Sequence, residues 1–507
     1  MVRQLLLRCS AFVILALSVF LTGCSDGPDK IDWPKVNLEG SQDKVLLRSN
    51  YLINVKGHTV GYVLMDAKHD AKADEVYGTW FMTMQFNRGA DTASSIMDVH
   101  FVESPDGVLN SMTVDSTGEG TTATFVGVAG DALEVRIENA DEFMNKKLPW
   151  QPGTLGPLGI ELSLVKNIMK PGEKRSFSNV EPTSLVVYQQ TLTAFDYEEL
   201  DAFPGQSLLK IGVVSEGEGV SMEGELWVNS EGLTMRATYP QMAMEFVYVE
   251  DRTEVTIAHL NAKASIETVD FNEVTAVEID GIYDQEAKRQ RLIMYSSLTD
   301  LNNMFPKTLY QSVKRNSKDR VVLEISDEAV NLDLDDKKPA EEDLDSSTLI
   351  QSDYAPIKAK VEELTKELVD EAEKLKTIQS FVYQHMEKKN YSKAMASASD
   401  AFESGEGDCT EHACLLAAMA RSAGLPTRMV AGLVAVPDGA LTNCRFHMWN
   451  EVFVDGHWIY VDATRPLDKV KWSRYIKLAD SSLANEKDQR FLLAGTVLLG
   501  DLSVFSE

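Results

Sequence analysis

Gly407-Asp408-Cys409-Thr410-Glu411 and Phe446-His447-Met448-Trp449-Asn450-Glu451-Val452-Phe453-Val454, with the turn Asp455-Gly456 and the return His457-Trp458-Ile459-Tyr460-Val461-Asp462-Ala463-Thr464, decide how this chain folds. Asp408 is a good helix N-cap, and Glu411 three residues later completes an acidic capping box, which makes Cys409 the first helical residue. The helix is predicted to run to about Ala423, where Gly424 suits the left-handed C′ position and Pro426 blocks continuation. Cys409, Ala413, Leu416 and Ala420 then share a face. Asp455-Gly456 is a strong two-residue hairpin signal. It pairs Val454 with His457, so Asp462 faces Trp449 and Thr464 faces His447. His447 and Asp462 become diagonal neighbours on one sheet face, roughly 7–8 Å apart at the backbone.

A helix-end thiol, a strand-borne imidazole and a carboxylate on the partner strand can therefore converge. The helix N-terminus favours thiolate over thiol, but Asp408 and Glu411 oppose it by charge. An imidazole does more, by forming a thiolate–imidazolium pair. The roles follow: Cys409 as nucleophile, His447 as general base and then acid, and Asp462 fixing the imidazole tautomer. The Cys409 amide, pointing out of the helix end, is a natural oxyanion donor.

Gly407-Asp408-Cys409-Thr410-Glu411-His412-Ala413, Arg421-Ser422-Ala423-Gly424-Leu425-Pro426-Thr427-Arg428, His447-Met448-Trp449-Asn450-Glu451-Val452 and Val461-Asp462-Ala463-Thr464 together resemble the bacterial transglutaminase-like superfamily. The resemblance covers about residues 351–470. It implies a papain-like α+β core, thiol acyl chemistry on amide bonds of protein or peptide substrates, and no cofactor. The family includes transamidases, proteases, deamidases, amidases and inactive relatives. It usually supplies a second oxyanion donor from upstream of the cysteine, a role for which Tyr391 and Gln384 are the candidates. His412 is a candidate substrate contact or supporting group. Trp449 is a candidate wall of an acyl-donor groove, with core packing as the competing role.

Working outward, Ile357 to Lys389 reads as one or two amphipathic helices, with Val361, Leu364, Leu368, Ala372 and Leu375 at spacings of three and four. Tyr391 to Gly407 reads as a long loop, which hints at a site. Residues 327–350, dense in Asp, Glu, Lys and Ser, read as an acidic linker. Upstream, residues 46–267 read as β-rich, with alternating strands such as Tyr77 to Phe86 and Glu223 to Val228, and turn signals at Pro105-Asp106-Gly107, Thr117 to Gly120 and Ser230-Glu231-Gly232. Trp80 and Trp227 mark strands that can correspond in two related sheets. Residues 268–326 read as a small β module, 351–480 as the catalytic domain and 481–507 as a C-terminal extension. The fold class is α+β: a transglutaminase-like domain behind a large, mostly β region.

Arg3 and Arg8 precede the apolar run Ala11 to Leu21, a secretory signal over residues 1–23 that is short for a membrane span. Leu21-Thr22-Gly23-Cys24 resembles the bacterial lipobox, which implies lipid on Cys24, a tether over 24–45, and Ser25 as an outer-membrane sorting choice. The expected location is the outer membrane, facing the periplasm. The net charge of −29 excludes nucleic acid and an anionic bilayer surface as the main ligand, because each would be repelled.

The competing readings are specific. Cys414 reads as packing, and Cys444 as ambiguous, able to pair with Cys409 or Cys414 in an oxidising compartment. Cys409, His412, Cys414, Cys444 and His447 match no usual zinc spacing, so no metal is expected. Two functions result. One is a membrane-anchored cysteine hydrolase or acyltransferase, with cell-wall peptide among its candidate substrates and hydrolysis favoured because nothing announces an amine site. The other is a non-catalytic docking lipoprotein that uses the same fold as a binding module.

Overall fold

A computed structural model describes residues 44–88, 91–117, 121–138, 143–182, 185, 187–217, 220–251, 275–297, 301, 304–315, 317–331, 338–347, 349–386, 396–483 and 501–507. Cys24, the apolar run before it, the turn signal at 118–120 and Tyr391 lie outside the described residues. The chain divides into two compact units, one of residues 1–86 and 94–269 and the other of 87–93 and 270–507.

The first unit is built on strands β1 (Lys44–Val55), β2 (His58–Asp70), β3 (Glu75–Arg88), β4 (Asp91–Glu103), β5 (Leu109–Thr117), β6 (Thr121–Ala129), β7 (Ala132–Glu138) and β8 (Phe143–Pro149). Helix α1 (Gly159–Lys166) follows, then β9 (Lys174–Val180), β10 (Val187–Glu198), β11 (Leu208–Gly217), β12 (Val220–Val228), β13 (Thr234–Tyr239) and β14 (Met244–Tyr248). Two meanders, β1 to β8 and β9 to β14, join where β1 pairs antiparallel with β14, from Tyr51↔Tyr248 to Val55↔Met244. The strands of Trp80 and Trp227 therefore belong to one continuous fourteen-stranded sheet, not two related ones. Period-2 burial is clear in β10, where Tyr188, Gln190, Leu192 and Ala194 turn inward and Gln189 turns out.

The sheet curls. Trp80 on β3 and Gln190 on β10 stand seven places apart in the strand order, yet both line one recess together with Glu161 of α1. Helix α1 was invisible in the sequence because it is only eight residues long and buries the charged Glu161 beside Leu162 and Leu164, so polarity does not mark its outer face. Gly107, at φ +81°, lets its turn approach the helix: a Cβ there would sit 2.6 Å from the Cα of Gly159.

The second unit carries a nine-stranded sheet beside four helices. Its elements are β15 (Val277–Asp280), β16 (Arg289–Tyr295), β17 (Gln311–Arg315), β18 (Arg320–Ser326), α2 (Ala355–Thr365), α3 (Glu371–His385), α4 (Ala398–Ser404) and α5 (Cys409–Ser422). They continue with β19 (Thr427–Asp438), β20 (Leu441–Val454), β21 (His457–Val461), β22 (Tyr475–Ser481) and β23 (Ser503–Ser506). The strand order is β17-β18-β16-β23-β15-β20-β19-β22, with β21 on β20. Residues 268–326, expected as a module of their own, thus share a sheet with the hairpin. Val277 pairs with Cys444, and one core joins Leu292, Val321 and Leu323 to Leu433, Cys444 and Ile476. The C-terminal segment is also structural: β23 lies parallel to β15 and antiparallel to β16, closing the gap between them.

Two further expectations change. The stretch read as a loop before Gly407 contains α4, capped by Ser397, whose hydroxyl accepts from the Asp400 amide, and ended by Gly405 in the left-handed region. The acidic stretch 327–350 ends packed rather than solvated. Leu349 and Ile350 are buried, the Ala398 amide donates to Leu349 O, and Arg421 donates to Asp345 O.

Candidate active site

Helix α5 begins as the spacing predicts. The Asp408 side chain accepts from the Thr410 amide at 2.8 Å and the Glu411 carboxylate accepts from the Asp408 amide at 2.8 Å, a complete capping box that places Cys409 first in the helix. The other end is a Schellman closure: the Leu425 amide donates to Ala420 O and Gly424 takes φ +82°. The helix is apolar on one face in the sequence, yet Thr410 to Arg421 are all buried. Its alanines allow β20, α2, α3 and α4 to pack close around it.

The hairpin has the predicted register. Asp455 and Gly456 both have positive φ, 52° and 86°, the mirror-image turn that matches strand twist. Val454 pairs with His457 and Asn450 with Val461. His447 and Asp462 meet as diagonal neighbours, with His447 Nε2 2.9 Å from Asp462 Oδ2. That occupies Nε2, so Nδ1 is left for the Cys409 thiol, which hydrogen-bonds to His447. Met448 and Asn450 alternate toward α5, where the Thr410 hydroxyl donates to Met448 Sδ and Asn450 Nδ2 to Ala413 O. On the β21 side of β20, pairing stops at Asn450, and on the β15 side it stops at Cys444. The stretch between them gives Cys409 access to His447.

Electrostatics favour an ion pair. Burial lowers the His447 pKa, but Asp462 beside it, the hydrogen bond to Asp462 and the contact with Cys409 outweigh this and raise it to about 10. Burial also raises Asp462, but His447 and hydrogen bonds from His447, Tyr475 and Thr464 hold its carboxyl well below the usual carboxylate range. Glu411 changes the charge balance expected from the sequence. Burial, and then neighbouring Asp408, push its pKa well above the usual value, so it opposes the thiolate less than a free carboxylate would. Cys409 is half-buried, while Cys414 and Cys444 are buried and free of disulfides.

Two supporting residues were not found by sequence reasoning. The Tyr475 hydroxyl donates to Asp462 Oδ2 at 2.6 Å, and the Thr464 amide and hydroxyl each donate to Oδ1 at 2.7 Å. Thr464 was nearby in sequence; Tyr475 arrives on β22, and no spacing announces it. Gly432 pairs with His447 and supplies space. A Cβ there would lie 2.2 Å from Ile476 O and 2.5 Å from the Trp449 ring. Trp449 itself is core, stacked 6.2 Å from His447 and edge-on to Tyr460 and Tyr475, so it backs the imidazole rather than lining an open groove.

The other sequence candidates separate. His412 is buried and its Nδ1 lies 2.6 Å from Asp408 O, which ties it to the helix cap rather than to a substrate. Gln384 is exposed on α3. The inward face of that helix is Leu375, Ile378, Gln379 and Val382, and five residues beyond Gln379 lies about 140° around the axis. Gln379 has the structural part instead: its amide donates to Asp462 O at 3.1 Å and Arg465 O at 2.8 Å, clamping the turn that carries the aspartate.

Residues 358–463 match the transglutaminase-like superfamily. The chain thus carries a transglutaminase-like domain in its C-terminal part, behind a large β region. Among solved structures, it is similar to a candidate cysteine protease from Cytophaga hutchinsonii, at 18% identity over 43% of this chain and 83% of that one, with a TM-score of 0.27. A β-barrel-like protein of unknown function from Brucella abortus is 10% identical over 40% of this chain and 94% of that one, with a TM-score of 0.30. A candidate protease from Parabacteroides distasonis is 12% identical over 76% and 68%, with a TM-score of 0.21. A search of curated proteins gives no match.

Proposed function

We propose that this chain, with its transglutaminase-like domain at 358–463, is a cysteine hydrolase or acyltransferase that acts on amide bonds of protein or peptide substrates. One observation carries the reading: a half-buried thiol at a capped helix end hydrogen-bonds to an imidazole whose far nitrogen is held by a buried carboxylate. His447 already carries the thiol proton when Cys409 Sγ attacks the amide carbon. The oxyanion meets the Cys409 amide, the first unpaired donor of α5. His447 then protonates the departing amine, leaving a thioester. Water, deprotonated by His447, attacks the thioester, releases the acid and restores the thiol; an amine in its place gives a new amide. Hydrolysis is the preferred outcome, since nothing in the sequence announces an amine site. Cell-wall peptide is within the substrate class.

Thiol reactivity tests this. Burial, followed by Glu411 and Asp408, pushes Cys414 far up, and burial pushes Cys444 up to about 12. At pH 7, iodoacetamide is expected to label Cys409 at least about 100-fold faster than either, because only a thiolate reacts. His447→Ala should remove the difference. Slow, equal labelling of all three in the unaltered protein would sink the enzyme reading.

We propose further that Cys24 is lipidated and holds the protein at the outer membrane, facing the periplasm, on the strength of Leu21-Thr22-Gly23-Cys24 after the apolar run. Cys24→Ser should move the protein from the membrane fraction to the soluble one. If the variant stays with the membrane, an uncleaved helix is the anchor.

A further inference from the structure

The curled sheet of the first unit holds a recess that the triad does not use. Trp80, Val213, Leu226 and Tyr239 form largely apolar walls, and Glu161 and Gln190 bring the chemistry. Gln190 is 2% exposed and its Oε1 has no hydrogen-bond partner among the described residues. Glu161 is 8% exposed. Burial raises its pKa to about 7, which favours the neutral acid, a hydrogen-bond donor.

A buried amide oxygen with no partner is costly to a fold. Gln190 occurs on a strand whose other inward positions, Tyr188, Leu192 and Ala194, are well packed. A residue kept at such a cost, at the wall of a recess, fits one that serves a ligand. The space sets the ligand's size. The recess has about 30 Å³ of free space for small groups, within some 500 Å³ that includes open solvent. At roughly 10–15 Å³ for each water-sized group, two such groups fit there and the remainder of the ligand stays outside.

The chemistry then narrows the choice. An anion would meet the unpaired Gln190 Oε1, itself an acceptor. An ammonium would give up its water for one neutral acceptor and apolar walls. A small carboxamide matches the donor–acceptor pair of Gln190, can accept from Glu161, and can turn a methyl to Val213 and Leu226. We infer that this recess binds the acetamido group of an N-acetylated compound, either an amino sugar or an acetylated peptide end.

Saturation-transfer NMR on the full chain tests the inference with three probes: N-acetylglucosamine, N-acetylalanine amide and glucosamine. Transfer is expected to be strongest on the acetyl methyl, and absent for glucosamine. Binding of only one acetylated probe names the source, and binding of both leaves the shared group as the determinant. Gln190→Leu should weaken binding at least tenfold while raising the melting temperature by a few degrees, because an apolar group replaces an unpaired buried amide. Glu161→Gln, which keeps a donor, should stay within about threefold of the original affinity. Equal binding of glucosamine, no transfer to any acetyl methyl, or unchanged binding by Gln190→Leu would overturn it. So would a melting temperature that falls in Gln190→Leu, since that marks a structural amide.

Discussion

Asp462→Asn is expected to lower turnover on an amide substrate by about 10⁴-fold, the scale set by loss of the orienting carboxylate in a nucleophile–imidazole–carboxylate triad. Asp462 accepts four hydrogen bonds: one from His447, one from Tyr475 and two from Thr464. An asparagine keeps one oxygen and brings an NH₂ where an acceptor is needed, so His447 Nε2 loses its partner and the imidazole is freed to take the wrong tautomer. The sign of the pH effect follows from the same contacts. The His447 pKa is raised to about 10, so its share of stability is complete below the unfolded value of about 6.5 and is lost as pH rises through about 10. The depressed Asp462 contributes above the usual carboxylate range and loses its share only in strong acid. Asp462→Asn should therefore flatten the fall in stability between about pH 6.5 and 10, read by denaturant unfolding across that range. A variant that keeps full turnover, or keeps the alkaline fall unchanged, would remove Asp462 from the mechanism.

Glu451→Ala is expected to cost about 3–5 kcal/mol of folding stability, the largest structural effect of a single change near the site. Glu451 is 1% exposed. It accepts from Lys477, itself 2% exposed, and from Arg428 Nε at 2.8 Å. Asp480 bridges both cations, at 2.7 Å from Lys477 and 3.1 Å from Arg428, and Arg428 lies over the Trp458 ring at 4.1 Å. Removing Glu451 leaves buried Lys477 and partly buried Arg428 to share Asp480, with Asp343 acting on Arg428 as well. The double variant Glu451→Leu with Lys477→Met should lose less, because an apolar pair removes the uncompensated charge as well as the attraction. Denaturant midpoints of the two proteins check the order. If the single variant loses under about 1 kcal/mol, the network is held by packing and not by charge.

Much of the site was legible because it rests on local rules. Asp408 and Glu411 declare a helix start, Gly424 and Pro426 its end, and Asp455-Gly456 a turn whose length fixes the register. Those signals place Cys409, His447 and Asp462 without reference to anything distant. For the second oxyanion donor no motif chose between Tyr391 and Gln384; Gln384 is exposed on α3, where Gln379 turns inward. The helix α1 and the shared sheet of β15 to β18 were illegible, because a buried glutamate breaks the apolar period of a short helix and strand pairing between distant segments leaves no local trace.

The sequence by itself thus determined a capped helix, a hairpin in register and three residues of matching chemistry. Only the tertiary structure decided what surrounds them. Tyr475 reaches Asp462 from β22, Gly432 makes room for Trp449 beside His447, Gln379 clamps the aspartate turn, burial raises Glu411, and Asp462 raises His447 against the effect of burial. Each of these depends on segments far apart in the chain and on the loss of water around charged groups, and neither is encoded in the spacing of neighbouring residues.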